Sequence, residues 1–102
     1  MMLAGAAVAP AQEAGDAAAG RRLAGSRCAV CHGRDGIATQ PDAPSLAGQN
    51  PAYVAAQLGR FRSGERKHEQ MNIIAAELTD SQIVDLAAWY AAIEVTATVP
   101  AR

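Results

Sequence analysis

The chain has 102 residues, the size of one domain and too short for two independently stable cores. Half of them are nominally hydrophobic, yet 25 are alanine and only 18 are Leu, Ile, Val or Phe, so the interior that side chains alone can build is thin. A formal charge of −1 removes the strong net charge that a disordered chain of this kind would carry, and two cysteines rule out a disulfide-dense scaffold, which leaves a bulky cofactor as the economical staple.

Residues 1–15 are Ala-rich, and Met1-Met2-Leu3-Ala4-Gly5-Ala6-Ala7-Val8-Ala9 followed by Pro10-Ala11 reads as the remnant of an export signal, with a disordered arm as the alternative. The folded domain is expected over residues 16–96, with 97–102 as a tail. A first helix is predicted from about Asp16, an N-cap followed by three alanines, to Ala29, ending near Cys28. Residues Gly33 to Gln49 are rich in proline and glycine and read as a loop. A second helix starts at Asn50-Pro51, a capping residue with proline at the first helical position, and stops near Gly64. Val54, Leu58 and Phe61 give it one apolar face. A third begins at the capping box Thr79-Asp80-Ser81-Gln82 and runs to about Glu94, with Ile83, Leu86, Tyr90 and Ile93 on one stripe. No segment alternates with period two beside a hairpin signal, so the fold class is all-α.

Basic and acidic residues are spread evenly, without a polybasic tail or a basic stripe interleaved with aromatics, so nucleic-acid binding is not indicated. No apolar run approaches the ~18 residues of a membrane span. Arg60, Arg62, Arg66 and Lys67 concentrate four positive charges, opposed within that stretch only by Glu65. They read as a solvated helix end, or as a patch that pairs with a cofactor's acidic group or steers an acidic partner.

Cys28-Ala29-Val30-Cys31-His32 is a C-x-x-C-H array, the spacing used to attach a c-type haem. One helical turn separates the two sulfurs, which suits addition to two vinyl groups on one porphyrin edge, while His32 turns its imidazole to the iron. Three other readings compete: a thioredoxin-like dithiol, which wants a βαβ context; a zinc site recruiting Cys28, Cys31, His32 and His68; and two buried thiols beside a surface histidine. For the second axial position the chain beyond its N-terminal arm offers one methionine, Met71, and one other histidine, His68. Met71 is expected as the distal ligand, with His68 or an open, water-bound site as alternatives. A thioether favours ferrous iron and raises the potential.

The sequence resembles the class I cytochromes c, most closely the small bacterial c553/c4-type domains, over nearly all of residues 16–94. Beside the haem motif, the resemblance rests on Gly20-Arg21-Arg22-Leu23, on Pro44-Ser45-Leu46-Ala47-Gly48-Gln49, on Tyr53 to Leu58 followed by Phe61-Arg62-Ser63-Gly64, and on Met71, Ala75, Leu78, Thr79-Asp80, Ile83 and Leu86 to Ala91. It implies three main helices wrapped around one covalently attached haem c. The first and last helices would cross at Gly20 against Trp89 or Tyr90, and Pro44 would orient the His32 ring through a backbone carbonyl. Leu46, Val54, Leu58, Phe61, Ile74, Leu78, Ile83, Leu86 and one of Trp89 and Tyr90 would wall the porphyrin. Ala24, where an aromatic is frequent in the family, and the lack of a proline beside Met71 depart from its pattern.

The implied function is single-electron transfer between periplasmic redox proteins by a non-enzymatic carrier, exported because haem attachment takes place outside the cytoplasm, and monomeric or weakly dimeric. Two alternatives stand beside it: a haem subunit of a larger oxidoreductase, and a ligand-binding or sensory haem protein in which Met71 is displaced.

Overall fold

The computed structural model describes residues 15–101, so the expected signal remnant lies almost entirely outside the described residues. Five helices follow one another: α1 (Ala17–Arg27), α2 (Ala29–His32), α3 (Pro51–Ser63), α4 (Glu69–Ala76) and α5 (Asp80–Ala92), with no strand among the described residues.

The three long helices start where their caps place them. Asp16 accepts the amides of Ala18 and Ala19 at 3.0 and 3.1 Å, and Asn50 accepts those of Ala52 and Tyr53 ahead of a helix opened by Pro51. The Thr79 hydroxyl accepts the Gln82 amide at 3.1 Å while the Gln82 side chain accepts the Thr79 amide at 3.0 Å, so both halves of the capping box form. Each such cap satisfies helix-end donors that would otherwise lack partners, at ~1 kcal/mol apiece. The first helix breaks at Cys28, one residue before the expected Ala29, and a single turn, α2, carries Cys31 and His32.

The expectation of three helices missed α4. Its N-cap is His68, an unusual choice, whose Nδ1 accepts the Met71 amide at 3.2 Å. No Ser, Thr, Asp or Asn announces a helix in Lys67-His68-Glu69-Gln70 ahead of Met71. Glu69 in the first turn adds a favourable charge at the positive end of the helix dipole.

Helices α1 and α5 cross at Gly20. A Cβ on Gly20 would run into the Asp85 carbonyl and come within 2.9 Å of the Trp89 Cβ. Trp89 is thus the aromatic at the crossing, with the Arg21 guanidinium 5.5 Å from its ring centroid. The obstructing atom is backbone, which cannot swing aside. Gly20→Ala is expected to cost at least ~1–3 kcal/mol by overpacking, lowering the midpoint of thermal unfolding by roughly 5–20 °C. Beyond the crossing, Ala24, Phe61, Ala75, Leu78, Ile83, Leu86 and Tyr90 form the core. Among the described residues Tyr90 and Leu86 are the large side chains that are fully buried, in keeping with the thin interior inferred from composition.

Candidate haem site

The long helices and the loop before α3 enclose a cavity of about 660 Å³, within the ~300–1,000 Å³ usual for cofactor sites. Cys28, Cys31 and His32 line it from the α1–α2 junction, and Pro44 and Leu46 from the following loop. Val54, Leu58 and Phe61 contribute from α3, Met71 and Ile74 from α4, and Leu78, Leu86 and Tyr90 from α5 and its approach. Every side chain predicted to tether, ligate or position a haem therefore borders one space.

One expected wall residue, Ile83, does not, and of the pair Trp89 and Tyr90 it is Tyr90 that does. Ile83 is buried in the core beyond the cavity, and Trp89 faces the α1 crossing. Along α5, Leu86 and Tyr90 are four residues apart and share the cavity face, whereas Trp89 is rotated by about 100° from Tyr90. Sequence reasoning in turn missed Gln49, Tyr53, Gln57 and Ile73, which also border the cavity, while Arg66 of the basic stretch borders it as well. Tyr53 and Gln57 could have been found, since they stand at i and i+4 on α3.

His32 is held in a defined state. Its Nδ1 lies 2.8 Å from the Pro44 carbonyl oxygen. A carbonyl only accepts, so Nδ1 carries the proton and Nε2 keeps its lone pair for a metal. The chain must turn sharply just after His32, and Gly33 does so with φ +82°, where any Cβ would strike the Ile37 carbonyl. Thr39 and Gln40 amides then donate back to the Cys31 carbonyl at 3.0 and 3.3 Å, tying the loop to the cysteine motif.

At the base of the cavity the Tyr90 hydroxyl is buried without a hydrogen-bond partner. Burial pushes the Tyr90 phenol up, and the charge of a nearby Cys28 thiolate adds to it. Burial also raises the Cys28 thiol, against the lesser opposing effects of Tyr90 and the Arg27 charge. An orphaned hydroxyl beside a half-buried thiol and an apolar cavity fits a polar-edged cofactor bound through Cys28. Trp89 Nε1 is buried and unpartnered as well, at the crossing rather than in the cavity, and nothing in the structure explains it.

The competing readings of the motif lose their structural context. The described residues contain no strand for a thioredoxin-like unit and no group of three or more His, Cys, Asp and Glu side chains that could hold a metal ion on their own. The basic stretch is partly neutralised. Arg60 pairs with Glu65 at 3.6 Å, and Arg62 pairs with Asp80 at 2.6 Å while donating to the Leu78 carbonyl. Asp80, from outside that stretch, thus adds a second opposing charge. Of the two arginines on the cavity, Arg27 engages Glu77, while Arg66 donates to the neutral Gln57 at 2.7 Å and stacks 4.6 Å from the Phe61 ring centroid. A second hollow, of about 640 Å³, is lined by Gly15, Pro51, Val84 and seven alanines and offers no polar side chain for chemistry. No helix among the described residues is long and apolar enough to cross a membrane.

The family model described as "Cytochrome C oxidase, cbb3-type, subunit III" matches residues 15–89. The chain is 45% identical over 83 residues to cytochrome c4 of Thiocapsa roseopersicina, covering 81% of this chain and 43% of that protein. It is 40% identical over 84 residues to cytochrome c-554(548) of Halomonas halodenitrificans, covering 79% of this chain and all of that protein. A further relative is named thiosulfate dehydrogenase electron acceptor, from Stutzerimonas stutzeri, at 36% identity over 67 residues, 63% of this chain and 31% of that protein. The solved structure of cytochrome c4 from Acidithiobacillus ferrooxidans superposes with a TM-score of 0.72 at 34% identity, over 76% of this chain and 49% of that one. The chain thus spans less than half the length of its cytochrome c4 relatives, but matches the c-554(548) relative end to end. Its C-x-x-C-H motif, its all-helical fold and these similarities together place it among the class I c-type cytochromes, electron-transfer proteins built around a covalently attached haem c.

Proposed function

We propose that this chain is a monohaem electron carrier in which Cys28 and Cys31 tether the ring, His32 is the proximal ligand and Met71 the distal one, serving redox partners in the periplasm. The observation that carries this reading is the convergence on one cavity of both cysteines, a histidine with its Nε2 free and Met71, the single methionine among the described residues. Bound there, the haem supplies a one-electron iron couple. The protein's part is to fix the ligands and exclude water. Pro44 holds the His32 ring, and Leu46, Val54, Leu58, Phe61, Ile74, Leu78 and Leu86 surround the ring with hydrocarbon. Such walls limit solvent reorganisation when charge changes and stabilise the less charged ferrous form. Arg66, with no carboxylate partner among the described residues, is the cation available to a haem propionate.

A spectrum of the purified protein tests the assignment. Low-spin character in both oxidation states, the weak sulfur-to-iron band in the ferric form and haem that stays with the polypeptide through acid–organic extraction are the expected results. A high-spin ferrous form that takes up carbon monoxide rapidly would support the ligand-binding alternative instead.

A second reading, that the chain is a haem subunit of an oxidoreductase, has support in the family description, which names an oxidase subunit, and in the relative named thiosulfate dehydrogenase electron acceptor. Purification from the native source separates the two. A free carrier elutes alone, whereas a subunit elutes at fixed stoichiometry with a larger partner.

A further inference from the structure

Helix α4 carries Met71 into the cavity, and the residue after it, Asn72, uses its side chain in an unusual way. Its carboxamide oxygen accepts the His68 amide at 2.8 Å. Its nitrogen donates to two backbone carbonyls, Phe61 near the end of α3 at 2.9 Å and Arg66 in the connecting turn at 2.8 Å. The Phe61 carbonyl lies in the last turn of α3, where its one backbone partner is the capping Gly64 amide at 3.3 Å, and Arg66 lies in a turn with no ladder of its own. One half-buried side chain thus joins the end of α3, the turn and the first residue before α4, and uses three of its four hydrogen-bonding positions to do so. His68, clamped through its amide, in turn accepts the Met71 amide.

We propose that Asn72 is a positioning residue for the distal ligand. Its three hydrogen bonds clamp the Met71 turn against α3 and set how readily Met71 yields its place on the iron to an external ligand. The inference rests on the assignment of Met71 given above. Sulfur is a weak ligand of ferric iron, and the eight-residue α4 that carries Met71 has one buried residue, Ala75, near its far end. The population of an open, Met-off state is therefore governed by what ties the turn down. An external ligand binds only to that open fraction, so its apparent affinity rises in proportion as the clasp is weakened. Asn72→Ala removes all three bonds, takes the side-chain donor from the Arg66 carbonyl and leaves the Phe61 carbonyl with the 3.3 Å Gly64 amide alone. Asn72→Asp keeps the acceptor for the His68 amide but sets a carboxylate against both carbonyls.

The test is imidazole titration of the ferric holoprotein, followed through loss of the sulfur-to-iron band, with denaturant unfolding recorded in parallel. Both variants should bind imidazole at least tenfold more tightly than wild type, and their sulfur-to-iron band should melt well below global unfolding. A band present in wild type, with imidazole affinity unchanged in both variants, would overturn the clasp and make Asn72 merely structural, whatever happens to global stability. If Asn72→Ala yields no folded holoprotein, Asn72→Asp carries the same comparison. Absence of the band from wild type would overturn the Met71 assignment and the clasp with it.

Discussion

Replacing Met71 by alanine should abolish the sulfur-to-iron band, lower the reduction potential and open the iron to carbon monoxide, while leaving the haem attached. The potential should fall by ~0.1 V or more, since axial ligands move haem potentials across a span of about 0.8 V. The direction follows from the chemistry of the donor. A thioether gives little charge to ferric iron, so its loss to water or hydroxide stabilises the oxidised state. His68 is the other side chain of metal-ligating type on the cavity from this part of the chain, but its Nδ1 accepts the Met71 amide, which places the ring proton on Nε2 and leaves neither nitrogen a free lone pair for iron. His68→Ala should therefore retain the sulfur-to-iron band and lose only the cap. Redox titration with optical detection checks both variants, and the reverse pattern would falsify Met71 as the ligand.

The division between what the residues announced and what they concealed has a physical basis. Asp16, Asn50-Pro51 and Thr79 to Gln82 act through local hydrogen bonds to the next few amides, so their helices were legible at once. Helix α4 was not, because its cap is a histidine ring, a residue type that rarely caps, with its own amide bonded to Asn72. The attachment motif was legible because it is contiguous. The Pro44 carbonyl that orients His32 and the Gly20 approach to α5 are long-range backbone contacts, and they came from resemblance rather than from periodicity. Trp89 and Tyr90 could not be told apart, since neighbours on a helix diverge by ~100° and the stripe drawn through Ile83, Leu86 and Tyr90 does not show where the cavity ends. Arg62 looked like an unpaired charge because its partner, Asp80, arrives from the start of α5.

The largest effect is expected from removing both attachment points. A protein with Cys28→Ala and Cys31→Ala, expressed with the haem-attachment machinery, should release whatever pigment it binds on acid–organic extraction. In its apo form it should lack cooperative unfolding and most of its helical signal in far-ultraviolet circular dichroism. The magnitude follows from the size of the space. A cavity of about 660 Å³ left empty would cost up to ~16 kcal/mol at ~24 cal/mol per Å³, above the ~5–15 kcal/mol that holds a whole domain together. Water entering through the open mouth lowers that figure but then wets the apolar faces of α3 and α5 that the cavity exposes. The core left behind has only Tyr90 and Leu86 as large, fully buried side chains, too little to offset the entropy of ordering the helices. A ligand that binds only the folded state adds its binding free energy to stability, and two thioether bonds make that contribution permanent. Single substitution of either cysteine leaves one bond and should give an intermediate, with haem retained and the denaturant midpoint lowered. A haem-free double variant that melts cooperatively with wild-type helicity would show that the alanine-rich chain closes its own core, and that the porphyrin is cargo rather than interior.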